Sequence, residues 1–505
     1  MVAQLIGTAA GPTAPFPPAS VAKGLGPDQR KELSIRALAG HEPVAQLAAR
    51  HQVSRPFIYR QIGRAEQALD EAFAEADGDQ RVLFQLPVTK AWLRQLVLAQ
   101  VLIGHTSYRG VAEIIEAVFG LPGPSVGTVH NILAEVLPRA RAINDAMDLS
   151  GISVGAHDEI YQARRPVLVG ADVRSTYCYL LAEEDHADET AWGVHLLDLA
   201  EKGLAVDYTI ADGGRGLRAG QRAAWPQVRC HGDVFHAERE LGQLAFFLER
   251  RAAGCTTAGR NLQRKMERSK RRGEGNKFSK RLAIARQAET RAVDLASDIR
   301  ILAEWMRQDI LAKAGPSRAI RCELFDFVVG ELARREPPCP HRIGPVHRAL
   351  AGQRDDLLAF VAVQEDQFAV LAERFAVPPP LVGQVAQLEA LDRNGPAYWQ
   401  AEGKLRRQLK GRFAPLQQAV QEVIRQTPRA SSIIENLNSR LRSYFFLRRE
   451  LGEGYLDLLR FFLNHRRFLR SDCPQRVGKS PAELLTGRPH AHWLELLGFQ
   501  RSARN

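Results

Sequence analysis

The chain is poor in cysteine and lacks the spacings that make cysteine structural. Its six cysteines are scattered, with no CxxC pair and no matching pair of histidines, so neither a zinc module nor a disulfide framework is predicted. No apolar run approaches the roughly 20 residues of a membrane helix. The N-terminus lacks a charged segment followed by a long apolar run, as a secretory signal would have. We therefore expect a cytoplasmic, nucleoid-associated protein with no membrane partner.

Acidic residues are the minority among the charged ones. The chain has 57 Asp and Glu against 69 Lys and Arg, which gives a formal net charge of +12 and a pI of about 9.6. Such a balance favours a polyanionic partner, usually nucleic acid, although a merely basic soluble enzyme is the alternative. A length of 505 residues exceeds one compact core and predicts roughly two to four domains.

The N-terminal region divides into a lead-in and a small helical domain. Residues 1–26 are rich in Pro, Ala and Gly and are expected to be disordered. Residues 27–75 predict three helices, the first ended by Gly40 and the third capped by Ser54 with Pro56 in its first turn. Their shared core would contain Leu47, Ala48, Val53, Ile58 and Ile62. The opposite face of the third helix offers Arg55, Tyr59, Arg60 and Arg64, which favours a helix-turn-helix DNA-binding domain over a generic three-helix bundle.

A second helical domain is predicted over residues 86–148. Apolar residues recur at helical spacing in three segments, with Gly120 ending the second helix and Ser125 capping the third. The arrangement resembles another helix-turn-helix. Because glutamates dilute the positive charge of this segment, a structural helical hairpin is an equal alternative.

The hydrophobic period becomes that of strands after Ser150. Residues 150–245 predict three strands joined by short turns, then a helix, a buried strand, a helix, a short strand and a long helix. This order is that of the first part of a ribonuclease H-like catalytic core, an α/β fold with a mixed five-stranded sheet.

The predicted topology brings two distant aspartates together. Asp158 lies in the first strand and Asp212 at the end of the fourth, and these strands are neighbours in this fold. Paired carboxylates suit Mg²⁺, and two such ions catalyse in-line phosphoryl transfer. A lone Asp at a strand end is usually only a turn residue. Asp172, which ends the second strand, is the alternative first acid.

The third acid is expected on a later helix. Glu435 follows "SSII" at the start of an amphipathic segment whose Ile433, Ile434, Leu437 and Leu441 would pack against the sheet. Residues 246–427 read as an all-helical insertion, with breaks at "CPHRIGP" and "PPPLVGQ". Residues 428–505 would complete the catalytic domain.

A basic run opens the predicted insertion. Residues 259–291 hold 12 Lys or Arg and three Glu. Phosphate contacts by residues such as Lys270, Arg271 and Arg272 would make DNA binding depend strongly on salt. A solvated helical face is the alternative.

Four segments in order resemble a known family. "TIADGGRGLRAGQRAAWPQVRCHGDVFH", "IIENLNSRLR", "GAHDEIY" and "GKSPAELLTG" are similar to segments of DDE transposases of bacterial insertion sequences, in the group related to Mutator. The resemblance covers roughly residues 150–240 and 428–490. It implies a transposase that cleaves transposon ends in double-stranded DNA and joins the 3′-OH to a target.

The resemblance also assigns roles to residues. Asp158, Asp212 and Glu435 would bind two Mg²⁺ ions, for which Mn²⁺ can substitute. Asp233 and His236 would support the site, with Cys230 an alternative equivalent of Asp233. Contacts to the DNA backbone are implied for Asn436, Arg440 and Arg442. Cutting two ends implies at least a homodimer in the active complex.

Other functions are compatible with the same residues. The chain could be a catalytically inactive regulator derived from a transposase, or a ribonuclease H-like nuclease without strand transfer. A purely helical scaffold is disfavoured by the strands predicted over residues 150–235.

Overall fold

The computed structural model divides the chain into two compact units, Met1–Val88 and Thr89–Asn505. The structure describes residues 24–73, 88–120, 122–274, 277–429, 432–448 and 451–500. Residues 1–23 of the predicted lead-in lie outside the described residues. None of the helices within these ranges is long and apolar enough to cross a membrane.

The first unit contains the three helices predicted for residues 27–75. They are α1 (Pro27–Leu38), α2 (Val44–Arg50) and α3 (Arg55–Phe73). Gly40 adopts the left-handed conformation just after α1, and the Ser54 hydroxyl accepts a hydrogen bond from the Phe57 amide at 3.3 Å. Of the predicted core residues, Ile62 is partly buried and the others are buried: Leu47, Ala48, Val53 and Ile58.

Three helices open the second unit. They are α4 (Lys90–Leu102), α5 (Tyr108–Phe119) and α6 (Val126–Asp145). Gly120 ends α5 in the left-handed conformation, and the Ser125 hydroxyl caps α6 by accepting from the Thr128 amide at 3.0 Å. The apolar faces of these helices share one core with the sheet that follows.

A single sheet has the order β3-β2-β1-β4-β5. Its strands are β1 (Val154–Gln162), β2 (Arg165–Asp172), β3 (Cys178–Glu183), β4 (Tyr208–Ala211) and β5 (Arg229–Gly232). The first three strands are antiparallel neighbours, whereas β4 is parallel to β1 and β5 is parallel to β4. These directions agree with the ribonuclease H-like arrangement predicted from the sequence.

Helices cover both faces of the sheet. The connections α7 (Glu189–Glu201) and α8 (Arg215–Ala224) pack in the core that contains Leu168 of β2. The opposite face carries Ala156 and Ile160 of β1, which pack with α4–α6 and with the C-terminal helices. Side chains alternate between the faces of a strand, so Asp158 belongs to this second face.

Helices also fill the chain from β5 to Gln426. The described residues of this range, which leave out 275–276, contain no strand. The helices are α9 (Val234–Arg271), α10 (Ser279–Trp305), α11 (Arg318–Arg334), α12 (Pro340–Ala351), α13 (Arg354–Leu357), α14 (Ala359–Phe375), α15 (Pro379–Leu388), α16 (Pro396–Leu409) and α17 (Phe413–Gln426). The predicted breaks at "CPHRIGP" and "PPPLVGQ" are both confirmed. Helix α11 ends at Arg334 and α12 begins at Pro340, and α14 ends at Phe375 and α15 begins at Pro379. A proline in the first turn of a helix has no amide bond to lose.

The C-terminal segment returns to the sheet. It contains α18 (Ser432–Phe445), α19 (Glu453–His465), α20 (Pro481–Thr486) and α21 (Trp493–Leu496). As predicted, Ile434, Leu437 and Leu441 of α18 are buried in the core with β1. Helix α20, within "GKSPAELLTG", begins with a capping box between Ser480 and Glu483.

Candidate metal centre

Asp158 is a half-buried carboxylate in the middle of β1. Its Oδ1 accepts from the Glu159 amide at 2.8 Å, and its Oδ2 accepts from the side-chain amide of Asn438 at 2.7 Å. Burial raises the pKa of Asp158 to about 6, and the charges of Asp212 and Glu435 contribute to the rise. A carboxyl group held in this way retains its proton more readily than one in water.

Asp212 follows β4 directly and is aligned with Asp158. The register pairs His157 with Ala211 as the last residues of the parallel ladder, so Asp158 and Asp212 occupy the next position on neighbouring strands. Adjacent strands lie about 4.8 Å apart. The Asp212 Oδ1 accepts from the Gly214 amide at 2.8 Å, which holds the carboxylate at the start of α8.

Glu435 reaches this site from the first turn of α18. Its side chain is 17% exposed and its Oε1 lies 3.0 Å from Nη1 of Arg239. The same oxygen lies 3.5 Å from Nε2 of His236. Both basic groups come from α9, so the carboxylate lies between a cationic helix and the sheet.

Three residues form a group that could hold a metal ion. Asp158, His236 and Glu435 each offer one ligand atom, and these atoms all lie within 4.8 Å of one another. Two of the three predicted acids are therefore brought together, and His236, predicted as a supporting residue, lies with them. Asp212 is outside this group but lines an adjoining cavity of about 270 Å³ that also contacts His236. Oxygen-rich ligand sets suit Mg²⁺, and an added imidazole is also compatible with Mn²⁺.

Asp233 orients His236. The Nδ1 of His236 donates to Oδ2 of Asp233 at 2.5 Å, and this hydrogen bond raises the pKa of the imidazole. Asp233 is buried and caps α9 by accepting from the Phe235 amide at 2.9 Å. Its carboxylate holds the ring with Nε2 directed at the acids, as outer carboxylates do for metal-bound histidines.

The two alternative residues have other environments. Asp172 accepts hydrogen bonds from the Ser175 amide at 2.7 Å and the Ser175 hydroxyl at 2.5 Å, so its carboxylate stabilises the turn between β2 and β3. Cys230 lies within β5, where burial raises the pKa of its thiol. A thiol that keeps its proton is a poor metal ligand.

The residues predicted to contact DNA lie mostly on surfaces. On α3 the four side chains are exposed: Arg55, Tyr59, Arg60 and Arg64. Lys270, Arg271 and Arg272 are exposed at the end of α9, and Asn436 and Arg442 are exposed on α18. Arg440 is half-buried, and burial lowers the pKa of its guanidinium.

Sequence reasoning missed two residues of the centre. Asn438 contacts Asp158, and Arg239 contacts Glu435. On the other face of the sheet, Glu159 accepts from the Trp192 indole at 2.9 Å. Helical spacing could have found the first two, because Asn438 lies three residues after Glu435 and Arg239 lies three after His236. Residues three apart share a helix face.

No family model matches the chain, and no curated protein matches it. Among solved structures, the chain is similar to the Drosophila P element transposase strand transfer complex, with a TM-score of 0.32 and 13% sequence identity. The match covers 78% of this chain and 99% of that chain. The functional conclusion therefore depends on the centre described above.

Proposed function

We propose that the protein is a DDE-type DNA transposase that uses Asp158, Asp212 and Glu435 to cleave DNA and transfer the strand. The observation that carries the proposal is the alignment of Asp158 with Asp212 on parallel strands, together with the approach of Glu435 to Asp158. The charges of Asp212 and Glu435 contribute to the raised pKa of Asp158, and a shared cation would offset this repulsion.

The three carboxylates would hold two divalent ions, Mg²⁺ or Mn²⁺. When bound, these ions supply charge stabilisation at the attacking and leaving oxygens of an in-line displacement. The chain's own residues prepare the ligands. Asn438 fixes the Asp158 carboxylate, and Asp233 fixes the His236 ring. Arg239 neutralises Glu435 and would release it for ligation.

His236 has a supporting part in this proposal. Its Nε2 faces Glu435 at 3.5 Å, close enough to share a metal or to hold the carboxylate in place. An imidazole among oxygen ligands would favour Mn²⁺ relative to a site of carboxylates alone.

DNA recognition is assigned to basic surfaces on separate elements. Helix α3 would enter the major groove as the second helix of a helix-turn-helix, with its exposed arginines on phosphates and bases. The exposed end of α9 would contact the backbone through Lys270, Arg271 and Arg272. Helix α18 would contact it through the exposed Asn436 and Arg442 and the half-buried Arg440. The active complex would be a homodimer or larger, because two transposon ends must be cut.

The proposal is tested with DNA duplexes taken from the sequences that flank the gene. Wild-type protein should nick them in Mg²⁺ and join a pre-cut 3′-OH end to a plasmid. Cleavage without joining of the pre-cut end would identify a nuclease instead. Binding without either reaction would identify a DNA-binding regulator, and both results would overturn the proposal.

A further inference from the structure

A second cavity beside the metal centre is lined mainly by cations. It has a volume of about 630 Å³ and its walls carry Arg174, Lys313, Arg425, Arg429 and Arg476, with Glu238 as the acidic residue of the lining. We call it the basic cleft. Five positive charges against one negative charge make it a strongly positive concavity within this unit.

The basic cleft begins where the metal centre ends. Val234 and Phe235 line the cleft and directly precede His236 on α9, and Ile433 lines it two residues before Glu435 on α18. The two helix starts are joined because the Val234 amide donates to the Arg429 carbonyl at 3.2 Å. A ligand in the cleft would therefore lie one helical turn or less from the proposed metal ligands.

Three of the five cations lack a carboxylate partner within the described residues. Arg429 pairs with Glu238 at 2.9 Å and Arg425 pairs with Glu422 at 2.5 Å. The Lys313 ammonium donates to the Arg425 carbonyl at 3.1 Å, and Arg476 donates to the Arg174 carbonyl at 3.0 Å. Neither these two groups nor Arg174 makes an ion pair with any described carboxylate.

Burial and the two nearby arginines lower the pKa of Lys313. The charged form of this half-buried ammonium is therefore unfavourable without a counter-ion, and an anion in the cleft would restore it. The cations come from four separated segments of the chain, so a single phosphate group cannot contact all of them. Each arginine fork matches two oxygens of one phosphate, so several cations suit a chain of successive phosphates.

We propose that the basic cleft binds the phosphodiester backbone of DNA and guides the strand to the metal centre. This inference rests on the proposed function, since it takes DNA as the substrate. Double substitution of Arg174 and Lys313 by Gln should lower the slope of log affinity against log salt concentration by about 1 to 2, at roughly 0.7–0.9 per lost phosphate contact. The matched control is Arg407→Gln with Lys404→Gln, which removes one Arg and one Lys from exposed positions on α16 outside the cleft.

A second measurement uses the wild-type protein and its own cysteines. Cys473 lines the cleft, so bound DNA should protect its thiol from alkylation by iodoacetamide, while Cys322 in the helical segment reacts as before. The experiment is done without metal, so it reports DNA binding whether or not the protein cleaves DNA. Equal salt slopes for the two double variants, or unchanged alkylation of Cys473, would overturn the inference. Equal protection by inorganic phosphate would identify a site for free phosphate and would overturn it as well.

Discussion

The side-chain amide of Asn438 on α18 donates a 2.7 Å hydrogen bond to Oδ2 of Asp158 on β1, across 280 residues of chain. Asn438 is fully buried, so its side chain is held in this contact by the packing of α18 against the sheet. It fixes the carboxylate toward α18, the helix that carries Glu435.

Asn438→Ala should raise the pKa of Asp158, because a hydrogen bond donated to a carboxylate favours its charged form. We expect metal-dependent cleavage to fall by about 10-fold to 100-fold, as when an outer partner of a metal ligand is removed. The pH at which activity appears should also rise. Ser439→Ala is the control, since Ser439 is exposed on the same helix. A pH profile of cleavage that is the same for both variants would contradict the role given to Asn438.

Glu435→Gln should reduce cleavage by at least about 100-fold, more than the loss of an outer partner would cost. DNA affinity should stay within about twofold, since the negative charge that is lost does not attract phosphates. Electrophoretic mobility shift and nicking assays measure the two properties on one preparation. Glu453→Gln, at an exposed position on α19, is the control. Cleavage at the wild-type rate by Glu435→Gln would remove this residue from the catalytic group.

Asp158→Asn should stabilise the metal-free protein at neutral pH. The pKa of Asp158 is raised to about 6 from 3.8, so the folded protein holds this proton more tightly than the unfolded chain does. Its ionisation therefore destabilises the fold as pH rises from about 4 to 6, by about 3 kcal/mol at pH 7.

The measurement is the free energy of unfolding in EDTA at pH 7.5 and at pH 4. The gain from Asp158→Asn should be present at pH 7.5 and nearly absent at pH 4. Asp172→Asn is the comparison, and it should destabilise the protein, because it weakens the turn that its carboxylate holds. If Asp158→Asn destabilised the protein at pH 7.5 as much as Asp172→Asn, the raised pKa of Asp158 would be refuted.

His236→Gln should weaken Mn²⁺ binding, because the imidazole nitrogen belongs to the group that can hold a metal. We expect a 10-fold to 100-fold increase in the dissociation constant, measured by electron paramagnetic resonance of free Mn²⁺. His195→Gln is the control, because His195 of α7 pairs with Glu184, which precedes that helix, and lies outside the metal-binding group. Equal Mn²⁺ affinity in both variants would leave His236 with no part in metal binding.

Arg60→Ala and Arg64→Ala should weaken DNA binding and lower its salt slope by about 1 each, if each side chain contacts a phosphate. Both side chains are exposed on α3. Arg36→Ala on α1 is the control, because its guanidinium already pairs with Glu32 at 2.6 Å. Unchanged slopes in the α3 variants would favour a generic helical bundle over a DNA-binding domain.

Local signals in the sequence predicted the local structure well. Gly40, Gly120 and Ser125 end or begin helices as expected of these residue types. The order of strands and helices along the chain followed from the change of hydrophobic period. The prolines of "CPHRIGP" and "PPPLVGQ" marked the starts of α12 and α15, where a proline has no helical hydrogen bond to lose.

Asn438 shows where the prediction of the site stopped. The resemblance implied a DNA contact for Asn436, which is exposed, and gave no part to Asn438, which contacts Asp158. A helix turns by about 100° per residue, so the neighbour in sequence faces away and the residue three positions later faces the same way.

Composition and pattern determined by themselves that the chain is basic, that its strands form one block between helices, and that Asp158, Asp212 and Glu435 are candidate ligands. Tertiary structure alone decided that Asp172 serves a turn, that His236 lies with Asp158 and Glu435, and that five cations surround the adjoining cleft. The physical reason is that propensities and caps act over a few residues. Contacts between α18, α9 and β1 depend instead on how apolar faces pack across hundreds of residues.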